Sequence, residues 1–194
     1  MKWEDFYKKV AGREPRPLLN DVLQYFPEQH PHPPRQAIDL GCGDGTETAF
    51  LLKRGWRVLA IDSEPAAIPL LLEKVSEQAH LQTQIAKFEV VNLLPADLIY
   101  AGYSLAFCAP KHFDAFWKKI VEHVKPNSYF AGEFFGERDS WADNPQMTFH
   151  TEEQVRARLA PFAIEYFHET EEDGQAASGP KHWHVFTVIA RKSP

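Results

Sequence analysis

Residues 37–62 read AIDLGCGDGTETAFLLKRGWRVLAID, and no other stretch limits the possible folds as sharply. Residues 37–40 form a short apolar run of strand type, and Gly41, Gly43 and Gly45 break it into a turn. Residues 46–54 then read as a helix. Glu47 lies in its first turn, Lys53 and Arg54 in its last, and Gly55 stops it, so charge and cap both suit the helix dipole. Residues 57–61 are a second apolar strand, ending at Asp62. Strand, glycine turn, helix and strand make a βαβ unit, and in open parallel sheets ligands bind beyond the carboxyl ends of the strands.

The alternation continues along the chain. Ser63 stands where it can cap a helix with Pro65 in its first turn, running towards Gln78 and interrupted by Pro69. Residues 83–88 and 97–101 read as strands. Residues 111–124 read as a helix with Phe113, Phe116, Trp117, Ile120 and Val124 on one face, and residues 129–135 as a fifth strand. Thr151 and Gln154 form a capping box for a helix that Pro161 ends. Residues 164–170 and 183–190 are closing strands around the polar loop EEDGQAASGP. The expectation is an α/β, doubly wound, mostly parallel seven-stranded sheet with an antiparallel closing hairpin.

Ahead of the sheet, helices over residues 3–10 and 18–26 flank the turn Gly12-Arg13-Glu14-Pro15, and the HPHPP tract at 30–34 is an extended spacer. A chain of 194 residues holds one such core and not two comfortable ones. The expected organisation is therefore one domain over 1–194, with a helical cap segment at 1–35 and the α/β core at 36–194.

The formal net charge of −6, without a Lys/Arg block, argues against an extended nucleic-acid footprint. Cys42 and Cys108 lie far apart and outside any CxxC spacing, so reduced, packed thiols are expected. The acidic start and short apolar runs point to a cytoplasmic protein without a membrane partner. Oligomeric state is left open.

The dinucleotide fingerprint G-x-G-x-x-G rests a pyrophosphate on the helix N-terminus. Here the spacing is G-x-G-x-G, Thr46 stands where the third glycine would be, and Asp39 and Asp44 place carboxylates around the loop. Carboxylates repel a pyrophosphate and suit a cation. S-adenosylmethionine, with a sulfonium and an ammonium and no phosphate, matches that chemistry. Asp62 follows Gly45 by one helix and one strand and can accept from both ribose hydroxyls. Nicotinamide cofactors use the same feature, so it identifies a ribose and not the whole cofactor.

On these residues the chain resembles the class I S-adenosylmethionine-dependent methyltransferases. DLGCGDGTETAFLLKRGWRVLAIDSEPAA resembles their first motif and acidic post, PADLIYAGYSLAF the fourth-strand motif, HVKPNSYFAGEFFG the fifth strand and KHWHVFTVIARK the closing strand. Among them it is most similar to the small tellurite-resistance-type enzymes, including the FY…GREP segment. The resemblance implies a Rossmann-like methyltransferase fold, with Asp39, Gly41, Cys42, Gly43 and Gly45 around the methionyl part and Asp62 on the ribose. It places Ser63 beside the ribose or adenine, Ala86, Lys87 and Phe88 around adenine, Tyr100 near the sulfonium, and Arg13 on the methionine carboxylate. Lys87 departs from an acid common there in the family, and Asn127-Ser128 from a Gly-Gly turn.

A soft acceptor such as a thiolate needs no base, whereas a hydroxyl or ammonium needs deprotonation, for which Glu133, His182 and His184 are candidates. The two histidines share a strand face, but no acid or cysteine at a recognised spacing completes a metal site, so no metal is expected. In EFFGERDSWADNP, Phe134, Phe135 and Trp141 are core, or Glu133, Arg138 and Trp141 line an acceptor pocket; both readings stand. After the fourth strand the chain reads Tyr100-Ala101-Gly102-Tyr103 and lacks an Asn/Asp-Pro-Pro-aromatic motif, which weighs against methylation of an exocyclic base nitrogen. The expected function is S-adenosylmethionine-dependent methyl transfer to a small molecule: a thiol, a metalloid oxyanion or a small acid. The alternatives are a nucleic-acid or protein methyltransferase, and a non-catalytic S-adenosylmethionine-binding module.

Overall fold

The computed structural model describes residues 7, 9–10, 12–27, 33–76 and 78–194. The βαβ unit lies within a seven-stranded sheet of order β3-β2-β1-β4-β5-β7-β6. β1 (Gln36–Leu40), β2 (Arg57–Asp62), β3 (Leu81–Ile85), β4 (Ala96–Ala101) and β5 (Val124–Phe135) are parallel. β6 (Phe162–Ala176) and β7 (Gly179–Lys192) close it antiparallel, β7 lying between β5 and β6. The helices are α1 (Pro17–Leu23), α2 (Thr46–Lys53), α3 (Ala67–Lys74), α4 (Pro110–His123) and α5 (Glu152–Arg158).

Alternation along the strands sends side chains to two apolar layers. Ile38 and Leu40 of β1 join Ile99 of β4 and Phe113, Phe116, Trp117 and Ile120 of α4. Ala37, Leu98 and Tyr100 point the other way, onto Leu18, Leu19 and Val22 of α1 and Leu51 of α2. Strand order reverses at β1, whose Asp39 is in register with Ala60 of β2 and Tyr100 of β4. The carboxyl ends of β1, β2 and β4 therefore meet at one crevice.

Local differences from the sequence expectation have local causes. α3 starts at Ala67, after an uncapped Ala66, so Ser63 is no cap and the helix stops well short of Gln78. Pro69 falls in its first turn, where a missing N–H breaks no helical bond. β3 spans Leu81–Ile85, which frees residues 86–88 from the sheet. α1 ends at Leu23, earlier than expected. The loop expected at 171–180 is mostly ladder, with pairing continuing to Ala176↔Gly179. Its polar residues clothe an exposed ribbon, so their polarity imitated a loop. Asn127 holds φ 59° inside β5, a left-handed position that asparagine tolerates in place of glycine. Of the helix expected at 3–10, Tyr7, Lys9 and Val10 are helical and the rest lies outside the described residues, as does most of the 30–34 spacer. Among the described residues no helix is long and apolar enough to cross a membrane.

Candidate functional site

A cavity of about 1250 Å³ opens at the crevice. Single small-molecule pockets usually measure about 300–1,000 Å³, so this one has room for two ligands side by side. Its walls include Arg13, Asp39, Gly41, Cys42, Gly43, Asp62, Ser63, Lys87, Phe88 and Tyr100. Gly45 is not on the wall.

Its place is structural: at φ 79° it begins α2, and a Cβ there would come within 2.8 Å of the Leu71 Cα. Gly45 sets the approach of α2 to α3. Gly41, at φ 77°, faces the crevice instead, and a Cβ on it would meet the Cβ of Ser104 at 2.5 Å. Beside it Asp62 is held by the chain's own amides: Gly43 N–H donates to Oδ2 and Glu64 N–H to Oδ1, each at 2.9 Å. Burial raises its pKa against these bonds. Burial likewise pushes the Cys42 thiol well up, leaving it an inert wall residue.

The acids around the loop differ from one another. Asp39 is 2% exposed and accepts from the Thr48 hydroxyl at 2.6 Å. Burial, with Glu47 nearby, pushes its pKa up to about 7. Asp44 is ion-paired with Lys74 and accepts from the Thr46 hydroxyl at 3.0 Å. Its charge is thus matched, which corrects its reading as a bare carboxylate awaiting a cation. Arg13, expected on the methionine carboxylate, grips the Glu47 carboxylate with both terminal nitrogens, so only part of its donor set is left for a ligand. Among the described residues two buried polar atoms on this wall have no partner, Arg13 Nε and the Tyr100 hydroxyl.

The far half of the cavity is aromatic, lined by Tyr103, Phe107, Phe135, Trp141 and Trp183. Glu133, His182 and His184, read as candidate bases, are not on its wall. Glu133 is buried on β5, where its carboxylate accepts the Tyr103 N–H at 3.1 Å and burial pushes its pKa up to about 7. It supports Tyr103, which holds φ 54°. His182 pairs with Asp173 at 2.7 Å. His184 is fully buried; Nδ1 accepts the Arg138 N–H at 3.0 Å, and Nε2 meets Glu169 at 2.8 Å. Arg138, read as a pocket residue, pairs with Glu169 and Glu171 at 2.7 and 2.8 Å instead.

Glu169, Glu171 and His184 bring potential ligand atoms within 4.8 Å of one another. The acids that local spacing did not reveal arrive across the β6–β7 ladder, but the Arg138 guanidinium already sits among them. Arg16, Tyr103 and Trp183 were not singled out as site residues, although the last two fall within the fourth-strand and closing-strand motifs; tertiary pairing brings all three to the cavity.

The sheet is parallel through β5 and closed by an antiparallel pair, and an acid ends β2 over a glycine turn at its switch point. The family described as "Methyltransferase domain" matches residues 38–130. TehB from Haemophilus influenzae superposes with a TM-score of 0.79 at 18% identity, over 99% of this chain and 68% of that one. The N-methyltransferase NodS from Bradyrhizobium japonicum WM9, crystallised with S-adenosyl-L-homocysteine, gives 0.67 at 13% identity, over 99% and 98%. Trans-aconitate 2-methyltransferase of Enterobacter sp. strain 638 is 34% identical over 97 residues, 48% of this chain and 36% of that protein. The chain thus spans only about a third of that curated relative's length. Residues 38–130 thus resemble a methyltransferase domain, the fold is the Rossmann-like one of these methyltransferases, and the chain resembles the TehB-like enzymes, as its motifs implied.

Proposed function

We propose that the chain is an S-adenosylmethionine-dependent methyltransferase with a small-molecule acceptor. The observation that carries this is the cofactor end of the crevice, where Asp62 stands ready for a ribose and the α2 N-terminus is closed to phosphate. Asp44 accepts from Thr46 there, and Glu47 is buried in the first turn. A pyrophosphate would find the Thr46 N–H already turned to Asp44, at 3.4 Å, whereas a sulfonium nucleoside needs no amide of the helix N-terminus. The residues fit that cofactor: the unpartnered Tyr100 hydroxyl and Arg13 Nε supply polar atoms for the methionyl end, and a carboxylate such as Asp62 keeps lone pairs beyond the two amides it already accepts.

Asp39, Gly41, Cys42, Gly43 and Tyr100 would hold the methionyl part, Asp62 and Ser63 the ribose, and Lys87 and Phe88 the adenine. When bound, the cofactor supplies an electrophilic methyl group. The chain's own residues then orient the acceptor and exclude water, as an in-line displacement requires. Lys9 Nζ donates to the Ala177 carbonyl at 2.6 Å, so the N-terminal segment meets the tip of the β6–β7 hairpin. This supports residues 1–35 as a cap on a single domain whose core is 36–194. Two buried free thiols suit a reducing, cytosolic compartment. The trans-aconitate relatives favour a small acceptor over a nucleic acid or protein.

Calorimetry tests the reading. S-adenosylhomocysteine should bind, and Asp62→Ala should weaken it about 10- to 100-fold, the scale of hydrogen bonds to a charged group. Failure to bind, or tighter binding of a nicotinamide dinucleotide, would overturn it.

A further inference from the structure

The far half of the cavity has a chemistry the glycine loop does not announce. Tyr103, Phe135, Trp141 and Trp183 touch one another there. Tyr103 lies 5.7 Å from Trp183 and Trp141 lies 5.9 Å from Trp183, centroid to centroid. Two fixed cations back these rings. The Arg16 guanidinium is 4.6 Å from the Tyr103 centroid and itself lines the cavity. Lys181, fully buried with Asp139, places Nζ 3.9 Å from the Trp141 centroid and 4.4 Å from that of Trp183. Aromatic faces attract cations, but one of the chain's own already lies over each of these rings, so a cationic acceptor gains less and meets Arg16. Arg16 has Glu47 at 4.0 Å as its charge partner and stays partly exposed to the cavity.

We infer that the acceptor is a planar aromatic molecule whose methyl-accepting atom is anionic, a thiolate or phenolate, stacked on Trp183 against the Trp141 ring inclined to it at 55°, with its charge beside Arg16. The inference rests on the methyltransferase reading and names its substrate class. Ring stacking provides the contact area. Arg16 favours the ionised acceptor, so no base is required. Consistently, Glu133, His182 and His184 are not among the residues lining the cavity. The Tyr103 hydroxyl, whose pKa burial raises, keeps its proton. Glu172 and Asp143 lie exposed on the cavity's edge. In the transfer, an acceptor lone pair forms the new bond to the methyl carbon as the methyl–sulfur bond breaks onto sulfur. Anion and cation become neutral thioether or ether and neutral S-adenosylhomocysteine, and no proton moves.

The test uses the full chain saturated with S-adenosylhomocysteine, whose own binding is measured first. Tryptophan fluorescence and calorimetry then follow 4-nitrothiophenolate, the non-aromatic anion trans-aconitate and the aromatic cation benzylammonium. The aromatic thiolate should bind at least about tenfold tighter than either, a margin one lost stack or charge contact would supply. Trp183→Ala and Arg16→Gln should each erase most of that margin while S-adenosylhomocysteine affinity stays within about twofold; Trp183→Phe and Arg16→Lys should restore part of it. Equal or tighter binding of trans-aconitate or benzylammonium, or indifference to both substitutions, overturns the inference. Normal S-adenosylhomocysteine binding in that case leaves the methyltransferase reading standing, whereas its absence removes that reading first.

Discussion

The two halves of the cavity are built in opposite ways. The half at the glycine turn is local and acidic: Asp39, Gly41, Cys42, Gly43 and Asp62 lie within one βαβ unit, and Asp62 is positioned by amides of that unit and of the next turn. The far half is assembled from distant segments and is aromatic. Tyr103 follows β4, Phe135 ends β5, Trp141 comes from the next loop and Trp183 from β7. They meet because β5 and β7 pair as far as Phe135↔Val185 while β6 and β7 continue beyond, overhanging the crevice. A local site is held by turn geometry. A distributed one needs tertiary fasteners, here the Lys181–Asp139 pair and the Glu133–Tyr103 bond.

Breaking those fasteners one half at a time separates the two designs. The largest effect is expected from Lys181→Met, which leaves Asp139 buried and unpaired. It should cost ~3–5 kcal/mol in a urea melt, with Trp141 and Trp183 loosened and S-adenosylhomocysteine affinity nearly unchanged in the folded fraction. Gly45→Ala attacks the other half. A Cβ at φ 79°, within 2.8 Å of the Leu71 Cα, should cost about 3 kcal/mol from backbone strain and overpacking together. Because it shifts the glycine turn, it should also weaken S-adenosylhomocysteine, read by calorimetry.

Glu133→Gln sharpens the comparison through pH. The folded pKa is raised from 4.5 to about 7, so the native state binds more protons than the unfolded chain between those values. The stability that the protonated form contributes is present below pH ~4.5 and lost as pH rises through ~7. The variant should therefore show a flatter melt against pH and gain on the native chain by up to ~3 kcal/mol above pH 7, while its amide oxygen still accepts the Tyr103 N–H. Asp39 titrates in the same direction and window, so the slope should shrink rather than vanish. Thr151→Ala touches neither half. Losing the capping box of α5 should cost ~1 kcal/mol, with both ligand affinities unchanged.

The sequence was most informative where periodicity and punctuation act within a few residues. The glycine turn, α2 with its end charges, the α4 stripe and the Thr151–Gln154 box all stand where their residues put them. Ser63 and the 171–180 ribbon were misleading, because a serine before a proline and a run of polar residues look alike in a cap, a loop and an exposed ladder. The base candidates fail for a related reason. Alternation puts His182 and His184 on one face, but only the partner strand decides what that face meets, and β6 offers Glu169, Glu171 and Asp173. Arg13 was placed on the right wall, while its grip on Glu47 depends on how α2 docks.

By itself the sequence determined the alternating sheet, the crevice at its turning point and the acid that closes β2, since each follows from hydrophobic period, glycine freedom and contiguous spacing. Only the tertiary structure decided which charges were already matched, which carboxylates were buried as supports, and that five rings from separate segments share one wall. Those outcomes depend on long-range strand pairing, where a residue's neighbour in space is set by register and not by its neighbours in the chain.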